Sequence, residues 1–166
     1  MKYVLIYILA WCTGIMVSCG QKNDQSRENL PSRVMDNEGI FTREQRWVLD
    51  SIIAHHENKT GNQIAIVSLI PDSVKHIVTI EEWEEYSIAL FNRLGVGEKG
   101  KNNGVGILLS ANLKRVRIEI GEGLIARFTS AEAQQIINEL MVPFFRDSAY
   151  FYGVENGLEA IIRELE

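Results

Sequence analysis

The sequence predicts an α/β fold, a three-layer α/β/α sandwich on a mixed, mostly four-stranded sheet. Three observations carry that expectation. Capping boxes led by Thr42, Thr79 and Thr129 each open a run with helical apolar spacing. Between them lie short apolar runs, Gln63–Ile70, mostly β-branched, and Val105–Ser110. The second run leads through Ala111–Lys114 into the alternating segment Arg115–Ile120, the pattern of a hairpin.

The chain opens on Met1-Lys2 and the apolar run Tyr3–Val17, broken only by Thr13 and Gly14. A spanning helix needs about 20 apolar residues, so residues 1–18 suit a signal peptide. The run closes on Ser18-Cys19-Gly20, after which the composition turns polar. A small residue directly before such a cysteine resembles a bacterial lipoprotein signal, which implies cleavage before Cys19 and acylation of that residue. Met16 stands where Leu is commonest, and an uncleaved anchor helix is the competing expectation. On the lipoprotein reading residues 19–32 are a polar tether, and the protein is exported and membrane-anchored, facing the periplasm or carried on the outer membrane. The only cysteines are Cys12 and Cys19, so the mature domain holds no thiol for a disulfide, a zinc site or a nucleophile.

One domain is expected over residues 33–166. Thr42-Arg43-Glu44-Gln45 starts a helix with Val48, Leu49, Ile52, Ile53 and His56 on its apolar face, and Gly61 supplies the left-handed stop. The strand Gln63–Ile70 is closed by Pro71-Asp72. Thr79-Ile80-Glu81-Glu82 caps a helix whose face carries Trp83, Tyr86, Leu90 and Leu94, ending at Gly95. Val105–Ser110 is apolar on both faces and belongs at the sheet centre, whereas Arg115–Ile120 alternates and belongs nearer an edge. Thr129 caps a third helix, with Ile136, Ile137, Leu140 and Met141 inward, that should close before Pro143. A last helix carries Phe151, Val154, Leu158, Ile161 and Leu165.

The 166 residues carry a net charge of −5 with Lys and Arg scattered, which offers no electrostatic footprint for nucleic acid. Gly95, Gly97 and Gly100 satisfy G-x-G-x-x-G, and Gly95–Lys101 satisfies G-x-x-x-x-G-K. Both phosphate motifs need a strand before the loop and a helix after it. Here a helix precedes and a strand follows, and Asn102 stands where a magnesium-binding hydroxyl belongs, so no nucleotide is expected. His55 and His56 diverge by about 100° on a helix and cannot pair on one ligand. His56-Glu57 lacks the second histidine of a zinc-protease motif, and no serine has the G-x-S-x-G setting.

A series of short signatures, in order, resembles the TPM domain family. They are Val34–Thr42 with Asp36 and Gly39, Thr60–Val67, the loop Gly95–Val105, Val116–Leu124 with Gly121 and Gly123, and Pro143–Arg146 followed by Tyr152-Gly153 and Gly157. The resemblance implies an α/β/α sandwich on the outer side of a membrane. It also implies work in the assembly or repair of membrane complexes or the modulation of a receptor; some members are described as acid phosphatases and some bind calcium or similar ions. Carried over by position, the family's loop acids fall on Asp36 and Asn102, with Asn103 alongside. The chain departs from the family pattern at Asn102, where Asp is usual, at Glu122, where Tyr is usual, and at Ile125.

Calcium takes six to eight oxygens and binds more tightly as charged ligands are added. A site of Asp36, Asn102 and Asn103, helped by Glu122, is therefore expected to hold calcium or another dication weakly. The plainer reading makes Asn102-Asn103-Gly104 a turn, since Asn and Gly tolerate positive φ. Two functions follow. One is a non-enzymatic accessory module, anchored through lipid on Cys19 and binding another envelope protein. The alternative is a metal-assisted acid phosphatase acting on phosphomonoesters, with Lys99, Lys101 and Arg127 clamping the anion; solvated surface charge is the plainer reading of those three.

Overall fold

The structure is a computed structural model and describes residues 33–166; the expected signal peptide, Cys19 and the expected polar tether up to residue 32 lie outside the described residues. Four strands form one sheet in the order β1 (Val34–Asp36), β2 (Gln63–Ser68), β3 (Gly104–Ser110) and β4 (Arg115–Ile120). The first three are parallel and β4 returns antiparallel to β3. β3 is buried along its whole length and lies inside the sheet, and the alternating β4 forms an edge, both as the patterning predicts. β1 is a strand of three residues that the hydrophobic pattern alone does not announce.

Helix α1 (Arg43–Thr60) joins β1 to β2, and α2 (Pro71–Val74) and α3 (Ile80–Leu94) join β2 to β3. Each of the three predicted capping boxes is formed, with the threonine hydroxyl accepting from the N3 backbone N–H and the N3 side chain accepting in return. Alternation within the strands separates two cores. Ile64, Ile66, Ile107 and Leu109 pack with Leu49 and Ile53 of α1 and with the C-terminal helices. Val67, Leu69 and Leu108 pack with Trp83 and Leu90 of α3 on the other face. Helices therefore cover both faces, the three-layer arrangement expected. Both crossovers step the same way across the sheet yet use opposite faces, so their hands differ. One of them has the left-handed sense that βαβ connections almost never adopt.

Pro143 does not end the third helix. Helix α4 (Ser130–Ile136) continues through a π-helical turn, Ile137–Met141, into α5 (Val142–Arg146). Val142 N–H reaches back to Ile137 O, a five-residue step, so Pro143 starts a new turn where its missing N–H interrupts no ladder. Helix α6 (Tyr150–Leu165) packs closely on this segment: a Cβ at Gly153 would stand 2.5 Å from Phe145 Cε1, and one at Gly157 2.8 Å from Met141 Sδ. Of the two adjacent histidines, His56 is buried and His55 exposed, consistent with their divergence on the helix. Among the described residues no helix is long and apolar enough to cross a membrane.

Candidate functional site

The residues matched by resemblance fall at two opposite ends of the sheet. Asp36 closes β1 and sits in register with Ser68 at the C-terminal end of β2. Asn102 and Asn103 precede β3, whose first residue, Gly104, pairs with Gln63 at the start of β2. Parallel pairing over the length of β2 separates these ends by roughly 16 Å. Asp36 therefore cannot share an ion with Asn102, and the expected ligand set is corrected: the parallel direction of the strands, invisible in the sequence, keeps the two loops apart.

Three hydrogen bonds already occupy most of the accepting capacity of Asp36. Its side chain is fully buried. It accepts from Ile40 N–H at 3.1 Å, Phe41 N–H at 3.0 Å and the Ser68 hydroxyl at 2.8 Å, with Arg46 Nη1 at 3.6 Å. Glu38, which the sequence reading passed over, completes the arrangement. Its carboxylate accepts from Ser110 Oγ at 3.0 Å and from Ala111 N–H at 2.8 Å, and its own N–H donates to Ser68 Oγ. Two acids spaced by one residue thus tie the β1–α1 loop to the ends of β2 and β3. Gly39, at φ 68°, makes the bend that lets the loop fold back.

At the other end the 95–104 loop is built by its own amide groups. Asn103 is buried; its Oδ1 accepts from Glu98 N–H and its Nδ2 donates to Gly61 O, both at 2.8 Å. Its amide is spent on fixing the loop to the end of α1, so it is not a free ligand. Asn102 takes φ 50°, and its carbonyl accepts from Gly123 N–H. The turn reading is thus realised in the backbone, while the Asn102 side chain stays at the surface. A cleft of about 500 Å³ opens here, with Glu98, Lys99, Asn102, Glu119 and Glu122 on its wall. Burial pushes the Glu119 carboxyl above its ordinary range, opposed by its hydrogen bond and charge attraction to Arg117. Among the described residues no three His, Cys, Asp or Glu side chains are grouped closely enough to hold a metal ion.

The three cations of the expected anion clamp have different surroundings. Lys99 lines the cleft, Lys101 pairs with Glu98 at 2.7 Å, and Arg127 Nη1 donates to Leu165 O at 2.7 Å, capping the end of α6. Positive charge collects elsewhere. Lys114, Arg115 and Arg146 line a second cleft of about 330 Å³ beside the C-terminal end of β3, with Ser110, Ser148 and Tyr150. They come from the hairpin turn, the edge strand and α5, segments distant in sequence, and no local motif announces them.

Comparison with known proteins places this geometry. No curated protein matches the chain. Among solved structures, the N-terminal domain of a protein from P. gingivalis superposes with a TM-score of 0.69 at 26% identity, over 81% of this chain and 82% of that one. The N-terminal domain of cg2496 protein from Corynebacterium glutamicum gives 0.59 at 16% identity, over 97% and 88%. The BA42 protein from the psychrophilic bacterium Bizionia argentinensis gives 0.61 at 17% identity, over 75% and 81%; the last two likenesses speak for the fold alone. The TPM domain family model matches residues 34–164, nearly all of the described residues. This chain belongs to the TPM domain family.

Proposed function

We propose that this protein is a lipid-anchored envelope protein whose TPM domain acts as a non-enzymatic accessory module, binding another protein of a membrane-associated complex. One observation carries the reading: the groups that chemistry at the matched loops would need are already occupied. Asp36, Glu38 and Asn103 are consumed by hydrogen bonds within the fold, and Lys101 and Arg127 by partners of their own. A dication at the 95–104 end would find the Asn102 side-chain oxygen and the carboxylate of Glu122, with Glu98 drawn away by Lys101. Such a sparse set supports binding near the millimolar end of the calcium range.

The competing reading is the metal-assisted acid phosphatase, and the cationic cleft of Lys114, Arg115 and Arg146 is the feature that favours it. The purified domain, titrated with calcium by calorimetry and assayed on p-nitrophenyl phosphate with calcium or magnesium, separates the two. The module reading expects weak heats and turnover at the buffer level. Metal-dependent turnover lost in Lys114→Ala and Arg146→Ala would establish the phosphatase instead. Anchoring is tested by fractionation: wild type should sediment with membranes, and Cys19→Ser should remain as unlipidated precursor. An unmodified, uncleaved wild-type N-terminus by mass spectrometry would remove the lipid.

A further inference from the structure

Among the described residues, the outer edge of β4 is the one long run of main chain in the sheet whose hydrogen-bonding groups face away from every neighbour. Gly121 N–H donates to Gly104 O at 2.8 Å across the β3–β4 ladder. In an antiparallel pair such bonds alternate, so Arg115, Arg117 and Glu119 direct their backbone groups to β3. The N–H and C=O groups of Val116, Ile118 and Ile120 point out of the sheet, and none of them is hydrogen-bonded among the described residues. An uncovered edge of this kind is a template for another strand.

The edge is recessed between two walls. A groove of about 540 Å³ touches all six residues of β4, Ile80, Trp83 and Glu84 of α3, and Ala133, Gln134 and Ile137 of the α4 segment. Because α3 and α4 lie on opposite faces, one groove lined by both must run along the strand's outer side. Ile118 is only 7% exposed although it sits on an edge strand, whereas Ile80 and Ile125 on the rim are 55% and 50% exposed. The indole N–H of Trp83, in the α3 wall, is buried without an acceptor.

Positive charge gathers at one end of the groove. At the Arg115 end it adjoins the cleft of Lys114, Arg115 and Arg146. At the Ile120 end it adjoins a cleft of mixed charge, where Glu98 is paired with Lys101, Glu119 with Arg117, and Lys99 stands with Glu122. Arg117 is already bridged to Glu84 and Glu119, but Arg115 has no partner among the described residues. The two sides also differ: Val116, Ile118 and Ile120 turn toward Ala133 and Ile137, and the charged residues turn toward α3.

We infer that β4 is a strand-addition site that takes an extended segment of a partner protein, apolar at every second residue and acidic at the end beside Arg115. Main-chain hydrogen bonds would supply the affinity and the apolar side and cationic end of the groove the specificity. The recess between α3 and α4 admits a single slender strand more readily than a second β4 that is itself recessed. The inference rests on the binding-module reading and names the partner's chemistry, yet it fails separately. Phosphatase turnover would end the module reading without touching the edge, and an edge that binds no strand leaves a module that binds elsewhere.

The test selects from a displayed library of random twelve-residue peptides on the purified 33–166 domain, followed by hydrogen exchange with the best peptide. Enriched peptides should alternate apolar residues and carry acidic residues at one end. They should slow exchange of the Val116, Ile118 and Ile120 amides at least ten-fold. Ile120→Pro, which removes an outward N–H that no internal bond uses, should abolish binding. Arg115→Glu, at a half-exposed site, should weaken it ten-fold even if the proline variant folds poorly. No enrichment, or peptides that protect other amides, would overturn the inference. So would a dimer of the domain that Ile120→Pro splits, since a second copy would then fill the edge.

Discussion

Asp36→Ala should be among the most damaging single substitutions, lowering the stability of the domain by about 3–5 kcal/mol through the buried donors it leaves unpaired. The carboxylate is removed from water and accepts from two backbone N–H groups and the Ser68 hydroxyl, with Arg46 near. Alanine leaves those donors buried with nothing to accept their hydrogens, and an unmade buried bond costs far more than a made one contributes. Urea unfolding followed by circular dichroism measures the loss. Asp36→Asn keeps one acceptor and the shape and should recover part of it. If Asp36 were instead a metal ligand, its removal would abolish calcium binding while leaving the fold intact. A stable Asp36→Ala domain would therefore sink the structural role given to this residue.

Gly104→Ala should cost about 3 kcal/mol, the upper part of the range for overfilling a packed site. A Cβ on Gly104 would overlap the carbonyl of Val96 and stand 2.8 Å from Gly97 N, all backbone atoms that cannot swing aside. Either the start of β3 or the 95–97 segment must move, and the Glu98–Asn103 hydrogen bond moves with it. Gly100→Ala is the control. Nothing lies within 4 Å of a Cβ there, and only the φ of 87° is unfavourable, so the loss should be confined to about 1–2 kcal/mol of backbone strain. Equal destabilisation by the two variants would show that close approach at Gly104 is not what holds the loop.

These two positions mark where sequence reasoning stops. Asp36 and Gly104 both stand out in the sequence, one as an acid ahead of a helix and one as the last glycine of a loop. The sequence assigns neither its work. Asp36 reads equally well as a ligand or as a clasp until Ser68 is known to lie beside it, and Ser68 is 32 residues away in the chain. Glu38 escapes notice for the same reason, since Ser110 and Ala111 are 72 and 73 residues on.

Local chemistry accounts for what was legible. A threonine hydroxyl and a Gln or Glu three residues later meet within one turn, so all three helix starts could be read directly. The left-handed stops at Gly61 and Gly95 involve a single residue each. Burial on both faces of β3 and alternation in β4 place one strand inside the sheet and the other at its edge. Pro143 misled because a π-turn just before it shifts the helical register, and that turn is stabilised by packing on Gly153 and Gly157 of another helix. Strand direction, the faces taken by the two crossovers, and the gathering of Lys114, Arg115 and Arg146 depend on pairings between distant segments. Helix caps, periodicity and the hairpin were determined within a few residues of chain, where one turn or one pleat brings the partners together. Which end of the sheet holds Asp36, and that β4 lies open in a groove, were decided only when parallel strands and opposed helices had been packed, because contacts across that distance leave no period in the sequence.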